Sequence, residues 1–307
     1  VRLVILVKDM SPLSAPVTIT GKTKVFGIIG DPIEHSLSPP MQNAALHQLG
    51  IDGVYVPFQV DGAQLPVAMA GLGAIGLQGF NVTLPHKQAV MPHLVSLTDS
   101  AQAIGAVNTV WRTEQGWAGT NTDVLGFIAP LKAQAVDWPT GRVVVLGYGG
   151  AARAVVAGCH QLGCQDIWVV GRSAQKLAQF AERWQVSALP VTIQTKPWEA
   201  LGSLLAETTL LVNTTPLGMF PRVADSPVSG ADLALLPPGA IAYDLIYTPR
   251  PTHFLKLAAA CGLKTLDGFE MLVQQGAAAL EIWTQQSPPI AIMGQALAAH
   301  LGANVSG

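Results

Sequence analysis

Charge is scarce in this 307-residue chain: Asp, Glu, Lys and Arg make up 12% of it, against roughly 25% in an average soluble protein. The formal net charge of −2 excludes a binder that relies on electrostatic attraction to nucleic acid. No run of Lys or Arg offers a patch for a membrane surface. Cysteine is equally sparse. Cys159, Cys164 and Cys261 are an odd number without CxxC spacing, so small buried thiols in a reducing cytoplasm are expected, and no metal site. The seven histidines show no metal-ligand spacing either, and His86 reads as a loop residue. There is no GxSxG or HExxH to support a hydrolase, and no internal repeat.

The longest gap in charge runs over residues 62–86, long enough to cross a bilayer. It holds Gly62, Gly71, Gly73, Gly76 and Gly79, two prolines and the polar group Asn81-Val82-Thr83. In a lipid core those breaks would leave backbone groups unpaired, so buried globular structure is expected. The opening "VRLVILVKDM" is too short for a signal h-region, and residues 1–20 read as an extension ahead of the first strand.

What is present alternates between strand-like and helix-like segments, which predicts an α/β protein with parallel sheets. Early strands are expected at 24–30, 53–60 and 77–84. Between the first two, "SPPMQNAALHQLG" reads as a helix with Ser38 as N-cap, Pro39 at the first position and Gly50 as the stop. Later strands fall in "RVVVL", "DIWVV", "TLLVN" and "GAIAYD". Helices are expected after residue 123, over "THFLKLAAA" with Thr252 as cap, and over the long apolar "FEMLVQQGAAALEIWTQQ".

"VVVLGYGGAARA" sets Gly147, Gly149 and Gly150 between a β-branched strand and a helix. That arrangement allows a tight turn and lets backbone N–H groups reach a pyrophosphate at the helix N-terminus. At the end of the next strand an NAD site would place an acid for the ribose 2′-hydroxyl. Here the chain reads Gly171-Arg172-Ser173, and a guanidinium suits a 2′-phosphate. NADP is therefore expected over NAD. Arg153 on the first helix either helps or is solvated.

Lys87 follows the charge-free span at a turn where a helix begins, a place where a cation costs roughly 0.3–1 kcal/mol against the helix dipole. It is either a solvated lysine or a functional one. Ser36 and Ser38 flank a helix start, and Asn108 with Thr120, Asn121, Thr122 and Asp123 forms a polar cluster. Such a set suits a sugar-like polyol, although Asn, Thr and Asp also make ordinary turns and caps. The residues alone point to an NADP-linked oxidoreductase of a small polar substrate.

Taken together, "HSLSP", "NVTLPHK", "IGAVNT", "GTNTDVLGF", "LGYGGAARA", "VNTTPLGM", "DLIYTPRPT" and "EMLVQQGA" resemble the shikimate dehydrogenase family in order and spacing from about residue 24 onward. The resemblance implies reversible NADPH-dependent reduction of 3-dehydroshikimate to shikimate, within chorismate and aromatic amino-acid biosynthesis. It implies Lys87 as the catalytic lysine and Asp123 as its partner. Ser36 and Ser38 would hold the substrate carboxylate, with Thr83, Asn108 and Asp123 on ring hydroxyls, Tyr247 and Gln275 as further contacts, and Asn81 behind that wall. Gly147, Tyr148, Gly149, Gly150 and Ala151 would form the pyrophosphate loop. Gly171, Arg172, Ser173 and Lys176 would line the 2′-phosphate side, and Leu245, Gly268 and Met271 the nicotinamide. One departure is Gly171, where the family commonly carries Asn; without that side chain the cofactor grip is expected to be somewhat weaker.

The implied architecture is two α/β domains about a cleft. A substrate-binding domain spans 1–122 and is rejoined by C-terminal helices from 268–307, and a Rossmann NADP-binding domain spans 123–267. Hinges are expected near 123 and 268. A quinate/shikimate dehydrogenase of broader substrate and cofactor use, and a non-catalytic NADP-binding sensor, stand as rivals. The expected partner is a small-molecule substrate, without nucleic acid or membrane. A homodimer and a monomer both fit the sequence.

Overall fold

The computed structural model describes residues 18–185, 189 and 191–303. Most of the expected N-terminal extension, residues 1–17, lies outside the described residues. The first strand begins at Lys24 as expected. Two six-stranded sheets carry the chain. The first contains β1 (Lys24–Gly30), β2 (Gly53–Gln59), β3 (Gly79–Val82), β4 (Ser96–Leu97), β5 (Thr109–Thr113) and β6 (Gly116–Thr120) in the order β2-β1-β3-β5-β6-β4. The second contains β7 (Arg142–Leu146), β8 (Asp166–Gly171), β9 (Gln194–Pro197), β10 (Thr208–Asn213), β11 (Ile241–Asp244) and β12 (Lys264–Leu266) in the order β12-β11-β10-β7-β8-β9.

Helices α1 (Ser38–Gln48), α2 (Leu65–Ala74), α3 (His86–Ala89) and α4 (Asp99–Ile104) connect the first sheet, and α5 (Asp123–Lys132) leaves it. Around the second sheet run α6 (Gly150–Gln161), α7 (Ala174–Gln185), α8 (Gly202–Leu205), α9 (Gly230–Leu233) and α10 (His253–Ala260), followed by α11 (Gly268–Thr284) and α12 (Ile290–Ala303).

The second sheet is parallel throughout. Its central strands β7 and β10 carry apolar runs, VVVL and LLV, because both faces are covered there. Val143 and Val145 of β7 enter one core cluster with Val155, Phe127 and Tyr243. Val144 and Leu146 enter the other with Leu211, Ala242 and Phe254. The strand order reverses direction between β7 and β10, and in such sheets ligands bind outside the strand C-termini at that point.

Parallel pairing does not extend to all of the first sheet. β5 runs antiparallel to both β3 and β6, because only the two residues 114–115 separate β5 from β6. A connection that short makes a hairpin and cannot make a parallel crossover. Ser38 is also not the N-cap of α1. The cap position is Leu37, with no side-chain cap bond, and Ser38 lies inside the helix. The two prolines supply no N–H groups to be capped. Gly50 does follow the helix with φ +65°, and Thr252 caps α10 by accepting from the Leu255 N–H.

The two C-terminal helices pack back on the first sheet: Val273, Ala277 and Leu280 of α11 and Met293 and Leu297 of α12 share a core with Phe26, Ile28 and Met41. Met271 packs on the cluster of the second sheet. Thus α11 spans the seam. No helix among the described residues is long and apolar enough to cross a membrane.

Candidate functional site

The end of β3 breaks into α3, and this turn delivers Lys87. Its Nζ donates to Asp123 Oδ2 at 2.6 Å, with side-chain exposures of 24% and 12%. Both groups are therefore reachable yet partly shielded, where a charge pair is screened less than at a free surface. Asp123 opens α5, and an acid in the first helical turn is favoured by the helix dipole. The Asp123 N–H donates to Asn121 Oδ1 at 3.0 Å, so the residue is fixed through its backbone as well as its carboxylate.

Asn108 organises the wall behind this pair. Its Nδ2 donates to Asp123 Oδ1 at 2.8 Å and to Gln275 Oε1 at 3.3 Å. Its Oδ1 accepts from Thr122 N, Thr122 Oγ1 and Thr109 Oγ1 at 2.7, 3.1 and 2.9 Å. With donor and acceptor ends both committed, the carboxamide has one orientation. Asn81 sits one layer deeper, donating to Asn108 O at 3.0 Å and Thr109 Oγ1 at 3.2 Å while accepting from the Tyr55 hydroxyl at 2.7 Å.

Tyr55 has no sequence signal beyond a strand position, yet it joins the wall to the serines. Burial pushes its phenol well above the ordinary value, and a hydrogen bond with Ser38 pulls it part of the way back. Ser38 is buried, and its N–H donates to Ser36 Oγ at 3.4 Å. Thr83, half-buried at the end of β3, donates its N–H to Ile29 O. The fully buried Gln42 carries no sequence signal either; its Nε2 donates to Gly276 O at 2.9 Å and clamps α1 to α11. His86 is not a loop residue. It is buried in α3 with Nε2 2.6 Å from Val60 O, anchoring the turn that carries Lys87.

Across the seam, the Gly268 N–H donates to Ile246 O, which sets the start of α11 against the Leu245–Tyr247 segment. Leu245 and Met271 are partly buried against the core cluster of Val143, Val145 and Tyr243. Burial raises the Tyr247 phenol above its usual value, so it remains a neutral hydroxyl at physiological pH. Gln275 projects from α11 to meet Asn108, joining the two halves of the chain at one polar cluster.

The residues at the β7–α6 turn fit a dinucleotide. Gly147 has φ +105°, a conformation that disfavours any side chain. Ideal Cβ atoms at Gly149 and Gly150 would meet nothing within 4 Å, which leaves room in front of the α6 N-terminus next to Ala151. Arg172 just past β8 and Lys176 in the first turn of α7 are exposed, and Ser173 Oγ accepts from the Lys176 N–H at 3.3 Å. These are two cations and a hydroxyl suited to a phosphate. Gly171 has a local cause: the Tyr148 ring lies where its Cβ would stand. Arg153, in the first turn of α6, is half-buried, with its Nε and Nη1 shielded from solvent and without a hydrogen-bond partner.

Family models match in both parts of the chain: the shikimate dehydrogenase substrate binding domain over residues 28–110 and the shikimate 5′-dehydrogenase C-terminal domain over 268–298. A shikimate dehydrogenase (NADP(+)) from Synechocystis sp. is 56% identical over 284 residues, covering 92% of this chain and 98% of the relative. The chain belongs to the shikimate dehydrogenase family. A solved shikimate 5-dehydrogenase from Thermus thermophilus, in complex with NADP(H) and shikimate, superposes with a TM-score of 0.80 at 36% identity, covering 90% of this chain and 99% of the other. A 5-ketofructose reductase from Gluconobacter sp. matches with a TM-score of 0.80 at 35% identity over 91% and 99% of the two chains. The fold thus serves more than one carbonyl substrate. This member of the family is an NADP(H)-dependent oxidoreductase acting on a CH–OH group.

Proposed function

We propose that Lys87 is the general acid of 3-dehydroshikimate reduction and, in the reverse direction, the general base of shikimate oxidation. The reaction is the reversible, NADPH-dependent interconversion of these two compounds. The reduced nicotinamide, when bound, supplies the hydride. As negative charge grows on the former carbonyl oxygen, the Lys87 ammonium stabilises it and delivers the proton. Asp123 holds the ammonium in place and takes a ring hydroxyl with its remaining acceptor capacity. The observation that carries this reading is the 2.6 Å pair between Lys87 Nζ and Asp123 Oδ2, formed by residues 36 positions apart at the polar cluster where α11 spans the seam.

Asn108 and Thr83 read further ring hydroxyls, Ser36 and Ser38 hold the carboxylate, and Tyr247 and Gln275 close the ring from the second half. The neutral state of Tyr247 supports a donor role. Gly147 to Ala151 take the pyrophosphate, Arg172, Ser173 and Lys176 the 2′-phosphate, and Leu245, Gly268 and Met271 the nicotinamide. The corresponding division is a substrate domain of residues 1–122 and 268–307 and a Rossmann domain of 123–267. Supporting it, α11 and α12 share their core with the first sheet. Every named group comes from one chain, so a monomer and a homodimer alike carry whole sites. Three free cysteines are consistent with work in a reducing cytoplasm.

Spectrophotometric assay with shikimate and NADP⁺ tests the assignment. Lys87→Ala is expected to lower kcat by about 10²–10⁴-fold, the range for a missing general acid–base group, while shikimate still binds. The wild type is expected to have a far higher kcat/KM for shikimate with NADP⁺ than for quinate with NAD⁺. An unimpaired Lys87→Ala enzyme would remove the lysine from the chemistry, and equal values for the two substrate pairs would shift the substrate reading to the broader enzyme.

A further inference from the structure

Gln42 breaks a packing rule. It is a fully buried carboxamide on α1, in a part of the chain where Met41 and Ala45 of the same helix share an apolar core with Val273 and Ala277 of α11. Its Nε2 donates to Gly276 O at 2.9 Å, across 234 positions of sequence, while its Oε1 is buried without a protein partner. A half-satisfied amide in such a place costs stability. The carbonyl it meets lies inside α11, where the helix's own ladder already uses it. An unbranched apolar side chain of similar length would fill the same space and remove the orphaned oxygen. Local rules broken in this way concentrate at functional sites.

The bond joins the two helices that carry opposite ends of the polar site. On α1, Ser38 stands four residues before Gln42, so the two buried side chains lie one turn apart on the same face. On α11, Gln275 immediately precedes Gly276, and its Oε1 accepts from Asn108 Nδ2 at 3.3 Å. The helices meet closely here. A Cβ at Gly276 would collide with Met41 Cε and stand 3.2 Å from Gln42 Nε2. A shift of α1 along α11 therefore breaks the Gln42 bond, and it changes the separation of Ser38 from Gln275 by the same amount.

We propose that Gln42 is a positioning residue for the substrate: its bond to Gly276 O fixes the spacing between the Ser38 hydroxyl and the Gln275 carboxamide. The proposal rests on the reading above in which those two side chains hold shikimate. Gln42 itself touches neither substrate nor cofactor. It acts through α1 and α11, and the Lys87–Asp123 pair, on α3 and α5, is not among its contacts. Its loss is therefore read in how well the substrate is held, and much less in the chemical step.

Steady-state assay with shikimate and NADP⁺, paired with urea unfolding of the same variants, tests the proposal. Gln42→Met is expected to raise the KM for shikimate about tenfold, with much smaller changes in kcat and in the KM for NADP⁺. It is also expected to be at least as stable as the wild type, because the orphaned acceptor is gone. Gln42→His, which keeps a ring N–H for the carbonyl, is expected to recover most of the lost KM. Combined with Gln275→Ala, Gln42→Met should add little, since it acts through that side chain. An unchanged KM in Gln42→Met overturns the proposal. So does a Gln42→Met chain that loses stability or fails to fold, which makes the residue a structural clamp. If Ser38→Ala and Gln275→Ala leave the KM unchanged as well, the substrate reading itself fails; if they raise it while Gln42→Met does not, the positioning role alone falls.

Discussion

Tyr148 and Gly171 share one volume at the mouth of the dinucleotide turn. Because the Tyr148 ring takes the place of a Cβ at 171, the position that commonly carries Asn in this family has no room for a side chain here. Read from the sequence, the glycine only weakens the cofactor grip. The geometry adds an aromatic ring in that space, partly buried on the core of the second sheet. The two residues are therefore coupled. Gly171→Asn is expected to raise the KM for NADPH, and Tyr148→Ala in the same chain is expected to restore most of the affinity. Contacting residues give interaction energies of roughly 0.5–3 kcal/mol in double-mutant cycles, so a cycle on kcat/KM for NADPH that closes additively would reject the shared-volume account. Asn108 has the opposite character. Its two ends meet five atoms drawn from β5, the start of α5 and α11, so its importance lies in convergence rather than in any single hydrogen bond.

At the level of elements, the crossing of α5 over α11 sets the seam, and Gly126 permits it. A Cβ there would stand 2.5 Å from Met271 O and 2.9 Å from Gln275 Cβ. One of these neighbours is backbone, so the helix itself must move. Gly126→Ala is expected to push α11 outward, carrying Gln275 from Asn108 and Met271 from the core of the second sheet. Overpacking of this kind costs about 1–3 kcal/mol. Denaturant unfolding should show that destabilisation, and the KM for both shikimate and NADPH should rise together; a stable variant with unchanged KM values would show that α11 has slack. Elements with strong period or punctuation were legible in the sequence: β1, the β7–α6 turn, the Thr252 cap and α11 all stand where pattern and caps place them. β4, β9 and β12 were not, being two to four residues long and held by neighbours rather than by their own pattern. The β5–β6 hairpin lacks an Asn-Gly type turn and so gave no signal. Lys87, Asp123 and Asn108 stand out as isolated polar groups in an apolar chain, but only the fold joins them. Tyr55 and Gln42 resemble ordinary strand and helix residues until burial shows the Tyr55 hydroxyl on Asn81 and Gln42 Nε2 on Gly276 O.

For the whole molecule, a buried acid at the strand C-termini links pH to stability. Asp244 is fully buried at the end of β11, accepting from Asn213 Nδ2 at 3.0 Å, Ile246 N at 3.1 Å and Thr252 Oγ1 at 2.7 Å. Burial pushes its pKa up to about 6; those three hydrogen bonds hold it down, and the Asp267 charge adds a smaller push upward. An unfolded Asp titrates near ~3.9. Between these two values the folded chain binds more protons than the unfolded one, so the group's contribution to stability rises as pH falls from about 6 toward about 4 and is constant above 6. The span corresponds to on the order of 3 kcal/mol. Other carboxylates also titrate in this window, so the comparison must be differential. Unfolding free energies of the wild type and Asp244→Asn, measured by urea at several pH values, should differ by an amount that is flat from pH 8 to about 6. Below that the difference should move in favour of the wild type. A gap independent of pH down to 4 would mean that the three donors keep the carboxylate ionised in the folded chain. The strand ends beside the dinucleotide crevice would then carry a permanent buried negative charge, opposed by no cation among the partners that hold it.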